Sequence, residues 1–197
     1  MRFVHAILAA GLMAVAAAAP AAAQEATYFK GKEISLGIGF GPGGGYDTYG
    51  RLMARHYGRF VPGNPSVVPK NEPGAGGIRL ATTIYNVAPK DGTQIALFAA
   101  STALEPLFGN KDAKYETAKF TWIGNLDSDV SSCGTWKHTG IKTWEDLKTR
   151  ETTFGSTGPA AITSIHPKVV GSLLHLNIKV IHGYSGTRDV NLAMQKG

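Results

Sequence analysis

The sequence contains a single cysteine and no concentrated block of charge. Cys133 has no second cysteine with which to form an internal disulfide. The 20 basic and 14 acidic residues give a formal net charge of +6 at pH 7, but they are spread along the chain without a long basic run. A nucleic-acid surface or a polybasic membrane patch is therefore not indicated. The mild positive balance favours an anionic small molecule only weakly, because it also serves solubility.

Motifs of catalysis and metal binding are also missing. The chain has no phosphate loop of the form G-x-x-x-x-G-K-[ST], no G-x-S-x-G around a serine and no H-E-x-x-H pair. Residues 39–44 formally match the dinucleotide fingerprint G-x-G-x-x-G, but Pro42 removes an N–H from that turn. No acidic residue follows about 20 positions later to hold a ribose. We therefore predict a protein that is not an enzyme and has no catalytic residues, metal or cofactor.

The N-terminal segment has the three parts of a secretory signal peptide. Met1 and Arg2 form a short positive start, residues 3–19 are uncharged and largely apolar, and residues 21–23 are alanines that a signal peptidase accepts. We predict cleavage after Ala23 and a periplasmic mature protein. An uncleaved membrane anchor is the alternative, but the apolar run is barely long enough to cross a bilayer. No cysteine follows the run, which argues against a lipoprotein.

Beyond this segment, apolar runs alternate with small-residue turns and segments of helical spacing. The predicted strands are 34–40, 67–68, 94–99, 120–124, 130–136, 152–154 and 178–181, and the predicted helix starts lie near 47, 78, 143 and 189. Tyr49, Leu52 and Phe60 share one face of the first helix, which we expect to be core. Strands separated by helices pair in parallel, because a parallel return needs a crossover. The pattern predicts a doubly wound α/β fold.

The polar stretch at 125–129 is suited to a crossing between two domains. We predict a signal peptide at 1–23, a first α/β lobe at 24–125 and a second α/β lobe at 126–197. No further strand follows the last predicted helix, so the second lobe is expected to be incomplete, as in a C-terminally truncated protein.

Five of the predicted turns lead from a strand into a helix start and are rich in small residues. They are 41–47, 73–77, 101–102, 155–160 and 184–189. In a parallel sheet such turns meet at the carboxyl ends of the strands, where ligands bind. Helix N-termini offer free N–H groups and a partial positive charge, so the cleft suits an anion. Any one of these loops could equally be no more than a tight connection.

Several motifs, taken in order and spacing, carry a family resemblance. They are 42–47 (PGGGYD), 73–77 (PGAGG), 88–93 (APKDGT), 120–124 (FTWIG) and 183–189 (GYSGTRD). This set resembles the substrate-binding proteins of tripartite tricarboxylate transporters, the Bug family. The resemblance implies a type II periplasmic-binding-protein fold, in which two lobes close on a ligand across a cleft. It also implies a monomeric receptor that presents a small carboxylate to membrane permease subunits.

The resemblance also implies a set of ligand-binding residues. They are Gly43, Gly44, Tyr46 and Asp47 in the first loop, Ala75, Gly76 and Gly77 in the second, the hydroxyl residues Ser101, Ser156 and Thr157, and Tyr184 and Asp189 from the second lobe. For Asp47 and Asp189, capping of a helix start is an equal alternative. Tyr46, Lys90 and Ser185 depart from the usual family pattern. The competing hypothesis is an exported α/β enzyme that uses one of these loops as an oxyanion or phosphate site.

Overall fold

The structure is a computed structural model that describes residues 27–128 and 130–197. The predicted signal peptide and its cleavage site after Ala23 lie outside this part of the chain. The helices and strands are β1 Glu33–Ile38, α1 Gly45–Tyr57, β2 Ser66–Asn71, α2 Ile78–Asn86, β3 Gln94–Leu97, α3 Trp144–Thr149, β4 Thr152–Gly155, α4 Ile162–Leu173, β5 Ile178–Ile181 and α5 Thr187–Lys196. Among the described helices, none is long and apolar enough to cross a bilayer.

The first three strands form a parallel sheet in the order β2-β1-β3. The central strand β1 pairs Ile34 with Val67 on one side and Leu36 with Ile95 on the other. Ile34 and Leu36 are at most 2% exposed and Ile38 is fully buried, as expected for a parallel strand covered on both faces. Helix α1 packs against β1 and β2, and α2 packs against β3. The predicted parallel α/β arrangement is confirmed here.

The last two strands form a second parallel sheet, in which β4 pairs with β5 from Thr152↔Ile178 to Gly155↔Ile181. Helix α4 makes the crossover between them and packs against both. Its approach is close at Gly171, where a Cβ atom would lie 3.2 Å from Ile178 Cδ1. The carboxyl ends of β4 and β5 lead into the starts of α4 and α5.

The structure corrects the strand predictions between the two sheets. Residues 120–124 and 130–136 form no strand, and Val130 is 94% exposed. Phe120 instead contacts the aromatic rings of Tyr115 and Phe98, with ring centroids 5.6 and 5.9 Å away. An apolar run forms a strand only where a neighbouring strand can accept and donate its backbone hydrogen bonds. Here Phe120 packs in a cluster of aromatic rings instead.

The predicted core face of α1 is also wrong. Tyr49, Leu52 and Phe60 are 43%, 49% and 73% exposed. The helix instead meets the sheet through Gly50, where a Cβ atom would lie 2.6 Å from Ile38 Cδ1. Gly58, which directly follows the helix, would place a Cβ 2.2 Å from the Pro65 carbonyl oxygen. Small residues allow this close approach, and hydrophobic spacing alone does not reveal it.

Candidate functional site

A small cavity lies where the starts of α1, α4 and α5 come together, and we call it the inner cavity. Its lining consists of Phe40, Gly44, Gly45, Tyr46, Ala99, Thr157, Ala161, Ile162, Thr163, Gly186 and Thr187. These residues follow the carboxyl ends of β1, β3, β4 and β5, where open α/β sheets bind ligands. The cavity holds about 40 Å³. A water molecule in the liquid takes about 30 Å³, so the inner cavity suits one small polar group.

A larger and more open space adjoins this cavity, and we call it the outer groove. It measures about 370 Å³ and lies between the first turns of α1 and α5. Its lining consists of Gly43, Gly44, Gly45, Thr48, Thr187, Arg188, Asn191, Leu192 and Gln195. Gly44, Gly45 and Thr187 line both spaces. The two spaces therefore lie next to each other and share these residues as a common wall.

Two loops join directly at this site. The Gly41 N–H donates to the Ser185 carbonyl oxygen over 2.6 Å, which ties the β1–α1 loop to the β5–α5 loop. A Cβ atom on Gly44 would lie 3.1 Å from Thr187 Oγ1. The N-termini of α1 and α5 thus stand close to each other, and each contributes a partial positive charge and free N–H groups. The combined field favours an anion at the site.

Asp47 does not line either space, because its carboxylate faces the protein. It accepts hydrogen bonds from Gly43 N at 2.8 Å, Arg51 Nε at 2.9 Å and Asn71 Nδ2 at 2.8 Å. Asn71 Nδ2 also donates to the Phe40 carbonyl oxygen at 2.9 Å. The network ties both ends of the β1–α1 loop to β2, so Asp47 holds the loop in place.

The charge state of Asp47 follows from these contacts. Burial by itself raises the pKa of Asp47, which is 4% exposed. The hydrogen bonds from Arg51, Gly43 and Asn71, together with the charge of Arg51, outweigh burial and lower that pKa to about 2. Asp47 is therefore ionised at neutral pH, and its charge is satisfied within the first loop.

Asp189 has a similar place at the third position of α5. It accepts a hydrogen bond at 2.8 Å from the Ser185 hydroxyl, just before the helix. Asp146 likewise reaches back from the third position of α3 to the Lys142 and Thr143 N–H groups at 2.8 and 2.9 Å. The helix start predicted near 143 is confirmed, and Thr143 and Asp146 form a capping box there. The contact of Asp189 is with a side-chain hydroxyl, and α5 has no side-chain cap hydrogen bond.

The second glycine-rich loop lies beneath the β4–α4 turn and lines neither space. Ala75, Gly76 and Gly77 have φ values of +49°, +69° and +101°. A Cβ atom on Gly76 would lie 2.7 Å from Ala161 N, and one on Gly158 would lie 2.6 Å from Gly76 N. Ala75 and Gly76 therefore lie against the turn that carries Thr157, whereas Gly77 lies against Thr102 and Phe98.

The predicted hydroxyl residues divide into two groups. Ser101 Oγ donates to the Ala160 carbonyl oxygen at 2.7 Å, and Ser156 Oγ donates to the Gly158 carbonyl oxygen at 3.0 Å. Thr157 lines the inner cavity, and its Oγ1 is buried without a hydrogen-bond partner among the described residues. An unpaired buried hydroxyl costs free energy. Thr157 is thus the predicted hydroxyl residue that retains hydrogen-bonding capacity for a ligand.

The two predicted tyrosines lie in different places. The Tyr46 ring stacks on Phe40 with centroids 4.1 Å apart and an angle of 12° between the planes, and both rings form a wall of the inner cavity. Tyr184 lies away from both spaces, against Gly155, where a Cβ would be 3.2 Å from Tyr184 Cε2. Tyr46 therefore shapes the cavity, and Tyr184 supports the end of β4.

Sequence reasoning missed Thr163, Thr187, Arg188 and Asn191, which line the site. A signal was available for two of them, because the GTRD motif places Thr187 and Arg188 in the first turn of a helix that starts at the site. For Thr163 and Asn191 the sequence offered no comparable signal.

No family model matches this sequence, and no curated protein matches it. Solved structures do match it in fold. MatC from Rhodopseudomonas palustris, solved with bound malate, superposes with a TM-score of 0.65 at 20% identity, over 84% of this chain and 57% of that one. BugD, a periplasmic binding protein, gives a TM-score of 0.60 at 18% identity, over 83% and 56%. An R. palustris protein solved with adipate gives 0.60 at 16% identity, over 84% and 56%.

These matches confirm the predicted fold class, because the chain has the α/β fold of periplasmic binding proteins. They confirm the resemblance drawn from the sequence motifs at the level of the fold. The chain spans a little more than half the length of the structures it matches.

Proposed function

We propose that this chain is the ligand-capturing part of a periplasmic solute-binding protein. It captures a small carboxylate and delivers it to the membrane permease subunits of a tripartite tricarboxylate-type transporter. The chain reaches the periplasm through a signal peptide cleaved after Ala23. It works as a monomer without a catalytic step, and residues 24–125 and 126–197 serve as its two lobes.

The observation that carries this proposal is the inner cavity, in which two helix N-termini meet beside the Thr157 hydroxyl. N–H groups at helix starts and a threonine O–H are donors, and a carboxylate is acceptor-only when ionised. The donors come from backbone and are fixed in place before binding, so little ordering is needed. One carboxylate group fits the volume of the cavity, and these donors would bind it.

The composition of the cavity wall supports a receptor over an enzyme. The residues that line the inner cavity are glycine, alanine, threonine, isoleucine, phenylalanine and tyrosine. Such a wall offers no pair of groups that exchange protons near neutral pH, as general acid–base catalysis requires. The structures of similar fold also support the proposal, because two of them were solved with the carboxylates malate and adipate.

A thermal-shift titration of the chain with malate and adipate tests the proposal, with the corresponding diamides as uncharged controls. A ligand that binds only the folded state must raise the melting temperature. We expect stabilisation by at least one carboxylate and none by the diamides. Equal shifts for acids and diamides, or no shift with any of them, would contradict carboxylate capture.

Two threonine variants then locate the binding. Thr157→Val removes the unpaired hydroxyl of the inner cavity and should weaken carboxylate binding about 5-fold, the worth of one neutral hydrogen bond. Thr152→Val is the matched control, because Thr152 Oγ1 is also buried without a partner but lies in β4, away from the cavity. Equal losses in both variants would remove Thr157 from the binding site.

A further inference from the structure

Arg188 occupies an unusual place at the second position of α5. Its aliphatic stem crosses Gly43, where a Cβ atom would lie 2.9 Å from Arg188 Cδ and 3.4 Å from Nη1. The side chain therefore reaches from α5 to the β1–α1 loop and lines the outer groove between them. In the described part of the chain the ion pairs are Arg51–Asp47 and Lys119–Glu116, and neither includes Arg188.

The position is electrostatically unfavourable for a cation. A positive charge in the first turn of a helix opposes the helix dipole, and Arg188 lies near the starts of both α1 and α5. Among the described residues, neither nearby acid forms an ion pair with Arg188, since Asp47 pairs with Arg51 and the Asp189 carboxylate contacts the Ser185 hydroxyl. An anion in the groove would offset this cost, which is small because Arg188 is exposed.

The remaining walls of the groove suit a polar anionic group. Asn191 and Gln195 follow Arg188 three and seven positions later and line the same groove. Side chains at this spacing share one face of a helix. Each amide supplies N–H donors, and the Arg188 guanidinium supplies a planar fork that matches a carboxylate. Thr48 lines the opposite side from α1, where its hydroxyl donates to the Gly44 carbonyl oxygen at 3.1 Å.

The two spaces differ in volume, so each would hold a different part of the ligand. The inner cavity holds about 40 Å³, which suits a single carboxylate group, and the outer groove holds about 370 Å³. We propose that Arg188 is a specificity-determining residue that binds a second anionic group of the ligand in the outer groove. This inference rests on the proposed function, because it assumes that the inner cavity already holds one carboxylate.

The test compares ligands of equal length that differ by one charge. Isothermal titration of the chain uses succinate with its monoamide and adipate with its monoamide. The unaltered chain should bind at least one diacid about 10-fold more tightly than its monoamide, the worth of a charge-assisted hydrogen bond. In Arg188→Gln this preference should disappear, because the affinity for the diacid falls while the affinity for the monoamide stays within about 2-fold.

Two further variants separate charge from structure. Arg55→Gln makes the same change at an exposed arginine near the other end of α1 and should leave the preference intact. Arg188→Lys should retain part of it, because the charge remains and the planar fork is lost. Without ligand, Arg188→Gln should melt at the same temperature as the unaltered chain or higher, because a cation leaves a helix N-terminus.

The titrations distinguish a failure of the role of Arg188 from a failure of the proposed function. If Arg188→Gln weakens the diacid and the monoamide equally, or changes neither, Arg188 does not set specificity, although carboxylate capture stands. If none of the four compounds binds the unaltered chain, the proposed function fails and this inference fails with it.

Discussion

Asp47 collects hydrogen bonds from the first loop, from its own helix and from the end of β2. With a pKa of about 2 against an ordinary value of 3.8, its ionised form stabilises the fold above about pH 4. That contribution is lost as the pH falls from about 4 to about 2, because the carboxyl must then be protonated in the folded state. The shift corresponds to about 2 kcal/mol at neutral pH.

Asp47→Asn should therefore lower the free energy of unfolding by about 2 kcal/mol at pH 7 and by much less at pH 2.5. Urea unfolding at both pH values measures the change. Asp112→Asn provides the control, since it removes one carboxylate from an exposed loop. A loss of the same size at both pH values would mean that the Asp47 charge contributes nothing.

Lys90 departs from the family pattern and makes hydrogen bonds within the first lobe. Its ammonium group donates to the Ile84 carbonyl oxygen, and to the Tyr85 carbonyl oxygen at 2.8 Å, in the last turn of α2. A cation is favourable there because carbonyl groups at a helix C-terminus lack partners. Lys90 therefore serves the end of α2, and it lines neither the inner cavity nor the outer groove.

At the scale of elements, the contact between the second glycine-rich loop and the β4–α4 turn can be measured with two glycines. Gly76 and Gly109 have nearly equal φ values of +69° and +72°. A Cβ on Gly76 would lie 2.7 Å from Ala161 N, whereas a Cβ on Gly109 would meet no atom within 4 Å. Alanine substitutions at these two glycines therefore separate the cost of a positive φ from the cost of steric overlap with the β4–α4 turn.

Gly109→Ala should cost about 1 kcal/mol of stability, the strain of a left-handed alanine. Gly76→Ala should cost more, by about 1 to 3 kcal/mol, because the turn at Ala161 must also shift. Chemical unfolding of both variants gives the difference. Equal losses would show that the loop and the turn are not in close contact in solution.

The sequence predicts helices and strands well where the spacing of apolar residues and the flanking turn residues agree. A helix start is predicted near 78, and α2 spans Ile78–Asn86; a strand is predicted at 178–181, and β5 spans those residues. A helix start is predicted after the 155–160 turn, but the extent of helix α4, Ile162–Leu173, is not. Pro167 lies inside it, and proline in a helix interior removes a backbone hydrogen bond, so the sequence there does not read as a helix. The packing of α4 against β4 and β5 outweighs that local preference.

At the scale of the whole molecule, the order of strands and helices was enough to predict a parallel α/β fold, because parallel pairing requires crossovers. The candidate site was harder to predict. Of the twelve residues expected there, Gly43, Gly44, Tyr46 and Thr157 line the two spaces, and the others hold loops or helix starts. The sequence identifies the loops that meet, but which side chains face the space depends on how two sheets dock.

The central claim is that a carboxylate binds where the starts of α1 and α5 meet. The most direct test records amide NMR spectra of the ¹⁵N-labelled chain while malate or adipate is added. We predict that the signals of Gly44, Gly45 and Thr187 shift in a saturable way, because these residues line both spaces. The signals of Gly109 and Gly171, which line neither, should stay in place. Shifts confined to other regions, or no shift at high ligand concentration, would contradict the account.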